Sequence, residues 1–179
     1  MILRRFRFLH NGLKGFTLVE LLIAIAIAGL ITAGISVAIM QVLTVNTRAS
    51  NHMIAVRQVQ QAGKEVSKDA LQCQNVTCGA DSGFPLTLNW TDWEGANYTV
   101  VYTFQTMPSS PDLMMLQRSQ SINGTPQTPA PLTVAEHIDS EQTNCVWNAT
   151  AGTLVFKVTA RLGTEIETRI YEIEPRPGS

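Results

Sequence analysis

Between Leu21 and Thr47 the chain carries no charged side chain, and Leu21–Met40 reads LLIAIAIAGLITAGISVAIM. About 20 mostly apolar residues are enough for a helix to cross the hydrocarbon core of a bilayer. A 179-residue chain has room for one ordinary core, and a helix apolar on every side has no use for water there. The stretch therefore predicts a membrane span. Charge is distributed to match. Of the 13 basic residues, Arg4, Arg5, Arg7 and Lys14 lie in the first 15 positions, where no acid occurs. Nine basic residues then face 14 acidic ones, a side-chain charge of -5 beyond Gly15. The positive-inside bias places the N-terminus in the cytoplasm and the C-terminal part outside it. A secretory signal peptide is the competing explanation, but its apolar region spans only about 7–15 residues. No A-x-A-like site stands out at the far end of this run either. The whole-chain charge of -1 offers no general attraction for nucleic acid.

Glu20 interrupts the apolar pattern within Gly15-Phe16-Thr17-Leu18-Val19-Glu20. A carboxylate at bilayer depth costs about 2.5–3.5 kcal/mol on insertion scales and usually has a partner. The string around it, KGFTLVELLIAIAIAGLI over Lys14–Ile31, closely resembles the N-terminus of type IV prepilins and type II secretion pseudopilins. The resemblance combines a short basic leader, a Gly-Phe junction, an acid four residues on, and an unbroken apolar helix. It implies cleavage by a prepilin peptidase after Gly15 and N-methylation of the new amine on Phe16. It also implies pairing of Glu20 with the N-terminal amine of a neighbouring subunit. Further implied partners are other pilins or pseudopilins, the membrane lipid before assembly, and an inner-membrane assembly platform with its ATPase.

The first proline in the sequence is Pro85, so nothing forces the helix to stop at the bilayer. Ala49, Met53, Val56, Val59, Val66 and Ala70 continue a 3–4 spacing, interleaved with Arg57, Gln60, Lys64, Lys68 and Asp69. That pattern predicts an amphipathic continuation ending near Leu71. From Phe16 such a helix measures about 84 Å at about 1.5 Å per residue. Gly63 is a potential weak point within it, worth about 1 kcal/mol. Major pilins usually carry a kinking proline soon after the apolar stretch. Its absence here fits minor pilins and pseudopilins better.

From about Cys73 the pattern becomes short β-like runs. Tyr98, Val100, Tyr102 and Phe104 share one face at period two. Leu113–Arg118 and Leu132–Ile138 read as strands, and Leu154–Leu162 with Glu165–Ile173 as a hairpin around Gly163-Thr164. Ser119–Pro131, with Asn123-Gly124 and three prolines, reads as a loop. The expected fold class is α+β and pilin-like, one long N-terminal helix packed on an antiparallel sheet. The strand order resembles the larger minor pilins or pseudopilins of the J/W type. The expected divisions are a leader over 1–15, a membrane or filament-core helix over 16–45, its amphipathic continuation over 46–72, and a β-rich extracytoplasmic head over 73–179.

Three cysteines, Cys73, Cys78 and Cys145, allow three disulfide pairings with one thiol left over. No CxxC pair or histidine cluster accompanies them, so no metal or other cofactor is expected. His137, Asp139 and Glu141 form a small polar group without a nucleophile-elbow string or a full calcium-ligand set. Five Asn-X-Ser/Thr triplets, at Asn75, Asn89, Asn97, Asn123 and Asn148, are acceptor patterns in a Thr-rich domain. The expected role is therefore structural and non-enzymatic, a minor pilin or pseudopilin subunit. The competing class is a membrane-anchored binding protein or enzyme with a prepilin-like N-terminus.

Overall fold

The computed structural model of the chain describes residues 15–108, 110–128 and 130–176. Residues 1–14 of the expected leader lie outside them. Helix α1 runs over Leu18–Ala70 and strands β1 to β9 follow: Asn75–Gly79, Gly83–Thr91, Asn97–Met107, Ser110–Ile122, Thr125–Pro126, Leu132–Ile138, Asn144–Asn148, Thr153–Leu162 and Glu165–Ile173. The chain divides into two compact units between Val45 and Asn46.

Within the second unit, α1 lies on one antiparallel sheet. Strands β1 to β4 form a meander, β4 pairs with β6, and β8 is flanked on one side by β9. The other edge of β8 is shared by β7, over Thr153–Lys157, and β6, at Ala160. The hairpin at Gly163-Thr164 and the face shared by Tyr98, Val100, Tyr102 and Phe104 follow the sequence pattern. Period-two alternation is clear in these strands because one face is buried and the other is wet.

The buried stripe of α1 differs from the expected one. Ala55, Val59, Ala62, Gly63, Val66 and Ala70 are buried against the sheet, whereas Ala49 and Met53 are exposed. At about 3.6 residues per turn Ala49 and Met53 lie on a different face from Ala55 and Val59, while half-buried Asn51 on the stripe's side still approaches Gly163. Small residues dominate the stripe because backbone and ring approach closely there. A Cβ on Gly63 falls on the ring of Tyr171, whose hydroxyl donates to Val59 O at 3.1 Å. Gly63 is thus a contact site rather than a weak point.

Asp69, expected on the wet face, is 3% exposed. Its carboxylate accepts two hydrogen bonds from Arg118, Nε to Oδ2 at 2.6 Å and Nη2 to Oδ1 at 3.1 Å. The Tyr102 hydroxyl donates to the same Oδ2 at 2.6 Å. A buried carboxylate is tolerated when it is paired and fully hydrogen-bonded. Tyr102 and Arg118 are cross-strand partners on β3 and β4, so sheet register brings both to the last turn of α1. Burial first, and Asp69 second, push the Tyr102 phenol far above its usual range.

The expected loop over Ser119–Pro131 is partly strand: β4 continues to Ile122, turns at Asn123-Gly124, and pairs with β5. Asn123 at φ 50° and Gly124 at φ 79° supply a tight hairpin turn. Strands β1, β2 and β7 have no counterpart in the sequence reading. Of these, β1 and β7 are only five residues long and β2 carries Pro85, so pairing with neighbouring strands rather than a long alternating run defines them. The alternation of β6 is broken by a bulge ahead of Asp139, since Glu136 and His137 together oppose Met115 and His137 adopts φ 59°. The Glu136 amide freed by the bulge donates to Gln58 Oε1 on α1 at 2.8 Å.

Three substitutions test this packing by denaturant unfolding of the full chain in detergent. Arg118→Met strands the Asp69 carboxylate and is expected to cost about 3–5 kcal/mol. Tyr102→Phe removes one charge-assisted hydrogen bond and is expected to cost about 1.5–3 kcal/mol. Gly63→Ala improves helix propensity by about 1 kcal/mol but overpacks Tyr171 by about 1–3 kcal/mol. It should destabilise on balance, and a more stable Gly63→Ala protein would contradict the close packing described.

Candidate functional site

The start of α1 is built by a local exchange of hydrogen bonds. Thr17 precedes the first helical residue, and its Oγ1 accepts the Glu20 N–H at 3.2 Å. Glu20 Oε2 in return accepts the Thr17 N–H at 3.1 Å and the Thr17 hydroxyl at 3.1 Å. This is a capping box, which satisfies two helix-terminal donors and contributes about 1 kcal/mol. The carboxylate also sits favourably at the positive end of the helix dipole. The signal was legible as Thr-x-x-Glu over residues 17–20, and the sequence reading passed over it. It explains why the helix begins at Leu18 rather than Phe16.

Gly15 and Phe16 lie just outside the helix, and the Phe16 side chain is 86% exposed. A Cβ placed on Gly15 would meet nothing within 4 Å. Nothing in the described chain therefore requires glycine at that position for space. Glu20 is the acid of the first turn, four residues beyond Phe16.

The apolar half of α1 is not buried by the chain itself. Among the described residues from Phe16 to Val45, seventeen large apolar side chains are exposed. At about 1.5–3 kcal/mol per buried side chain, removing them from water is worth about 25–50 kcal/mol. Against that sum, the cost of inserting one carboxylate near an interface is small. The hydroxyls in the segment are satisfied within the helix: Thr32 donates to Ala28 O, Ser36 to Thr32 O and Thr44 to Met40 O, at 2.8–2.9 Å. Such back-bonding lets hydroxyl residues face an apolar medium. The helix is long and apolar enough for single-pass membrane anchoring.

The three cysteines separate into a pair and a single thiol. Cys73 is buried just past α1, and burial pushes its thiol up to about 11. Cys78 on β1 and Cys145 on β7 place their sulfurs 3.8 Å apart. The Cys145 thiol also donates to Gly83 O at 2.8 Å. Asp139 uses Oδ1 to accept the amides of Glu141 and Gln142 at 3.2 and 3.3 Å, so its carboxylate shapes the turn between β6 and β7. Among the described residues, no three His, Cys, Asp or Glu side chains converge as a metal-holding group.

Residues 11–36 match the prokaryotic N-terminal methylation motif. Neither a curated protein nor a solved structure matches the chain. The matched segment contains Gly15, Phe16, the capping box and the first half of the unburied helix. It implies processing by a prepilin peptidase and partnership with other pilins in general terms. This motif, leading a single long helix that is followed by a curled antiparallel sheet, supports a precursor similar to the type IV prepilins and pseudopilins.

Proposed function

We propose that the chain is a structural subunit, a minor pilin or pseudopilin, of a type IV pilus or type II secretion pseudopilus. The observation that carries this reading is the methylation motif seated on a helix whose apolar half its own chain leaves unburied. In this reading a prepilin peptidase cuts the Gly15–Phe16 bond on the cytoplasmic side and the Phe16 amine is N-methylated. The subunit waits in the inner membrane with its head extracytoplasmic. An assembly platform and its ATPase then draw it into a filament, where neighbouring helices replace lipid around Leu18–Val45. The role is assembly rather than catalytic turnover. The lack of a proline in the apolar helix favours a minor subunit, and the larger J/W type is the nearest subclass by strand order.

Glu20 has two successive partners in this scheme. Before assembly its carboxylate caps its own helix; on assembly it neutralises the Phe16 ammonium of a neighbour. An ammonium moved into an apolar filament core requires such a counter-charge, and a carboxylate at one height along the helix sets the axial register between subunits. The small-residue pairs Ala24/Ala28, Gly29/Ala33 and Gly34/Ala38 permit close helix approach.

Capping and charge pairing are separable by substitution. Glu20→Gln keeps an acceptor oxygen for the capping box but removes the charge, whereas Glu20→Ala removes both. Both variants are expected to insert into the membrane normally and to fall at least tenfold in purified filaments. Recovery of Glu20→Gln at the wild-type level would assign Glu20 to capping alone. Mass spectrometry of protein from cells with active prepilin peptidase should find an N-methylated Phe16 terminus. An intact Met1 terminus there would defeat the processing scheme.

A further inference from the structure

The sheet path begins at β1 and ends at β7, and these two ends return to each other. Strand β7 docks on the β1–β2 turn through the Cys145 amide, which donates to Ser82 O at 2.9 Å. The approach is built into the turn. Gly83 has φ 85°, and a Cβ there would fall on the Cys145 carbonyl. Only glycine meets both the conformation and the space. At this seam no continuous ladder joins β1 to β7, and the two sulfurs stand 3.8 Å apart.

We propose that Cys78 and Cys145 are joined by a disulfide in the mature protein, closing the curled sheet between its end strands, while Cys73 remains a thiol. The proposal rests on the extracytoplasmic placement of the head argued above, because disulfides persist in oxidising compartments. Bringing the sulfurs from 3.8 Å to a bond of about 2.05 Å moves each by about 0.9 Å, within reach of side-chain rotation. Cys73, wholly buried, is out of reach of an external oxidant.

The two thiols are unequal in a way that orders the reaction. Cys78 is half-buried, and the hydrogen bond from Cys145, with one from the Trp147 backbone, brings its thiol down to about 7 against opposing burial. Contact with Cys78 and then burial push Cys145 up. The Cys78 thiolate attacks one sulfur of an external disulfide oxidant, forming a mixed disulfide and displacing the oxidant's first thiolate. Cys145 then gives up its proton and attacks Cys78 Sγ, displacing the second. The pair loses two electrons and two protons; the oxidant's disulfide becomes two thiols.

The bridge spans 67 residues of sequence, a loop long enough for its loss to lower the melting temperature by on the order of 10 °C. The test uses the full chain extracted from membranes into detergent. Free thiols are blocked with N-ethylmaleimide before and after denaturation, and the unreduced digest is analysed by mass spectrometry. The expected result is one cross-linked peptide pair containing Cys78 and Cys145, with Cys73 blocked only after denaturation. Reduced protein treated with oxidised glutathione should form the same bridge. Cys78→Ser and Cys145→Ser should each melt at the temperature of the reduced wild type, and the double variant no lower. Cys73→Ser should keep the bridge.

A bridge to Cys73, or no bridge in oxidised glutathione, overturns the pairing. Free Cys78 and Cys145 in protein that carries N-methylated Phe16 overturns the bridge while leaving the processing scheme intact. An intact Met1 terminus together with bridging by glutathione supports the pairing and counts against the processing scheme.

Discussion

A single helix of 53 residues has to satisfy two different surroundings along its length, and the rest of the structure follows from that constraint. Up to Val45 it presents apolar side chains on every face, with its hydroxyls bonded back to its own carbonyls. Apart from Glu20 in the first turn and Gln41, little polar surface is left that would reward contact with water. Beyond Ala55 the same helix carries one narrow stripe of small residues and is wet elsewhere. The first half requires lipid or other helices; the second requires a sheet. The chain supplies only the sheet.

The attachment of α1 to that sheet combines close packing with one buried charge. Alanines and Gly63 let strands and the Tyr171 ring approach the backbone, which gains dispersion contacts but little apolar area per residue. The Asp69–Arg118–Tyr102 group then specifies how the last turn meets β3 and β4. A misplaced helix would leave the carboxylate buried without partners, a loss of several kcal/mol. The group therefore discriminates against alternative seatings of the stripe, something small apolar residues alone do poorly. At the other end of the helix, Thr17 and Glu20 hold the first turn together, so the Glu20 carboxylate has a folding role of its own.

Much of this was readable without coordinates, for identifiable reasons. The apolar run, the Gly-Phe junction and Glu20 are consecutive in sequence, so their meaning is local. Strands β8 and β9 alternate, and they and β6 ran close to the expected bounds. Strands β1, β2 and β7 were not recognised alone, although each pairs with the next strand in the chain: β1 and β7 are five residues long and Pro85 interrupts β2. Asp69 was misread for a different reason. Its helical position is consistent with a wet face, and only Arg118, 49 residues away, makes burial tolerable. The bulge at His137 likewise depends on a mismatch between two strands that no single strand pattern contains.

The sequence by itself determined the membrane-competent helix, the processing motif and the α+β class, because each rests on residue type at short, fixed spacing. Tertiary structure decided which part of the amphipathic half is covered, that Asp69 is an internal anchor, and which of three cysteine pairs is in contact. Those outcomes depend on how β7 returns to the β1–β2 turn and how β3 and β4 pair. Such contacts join residues tens of positions apart, and one sequence carries no marker of their distance until the chain closes on itself.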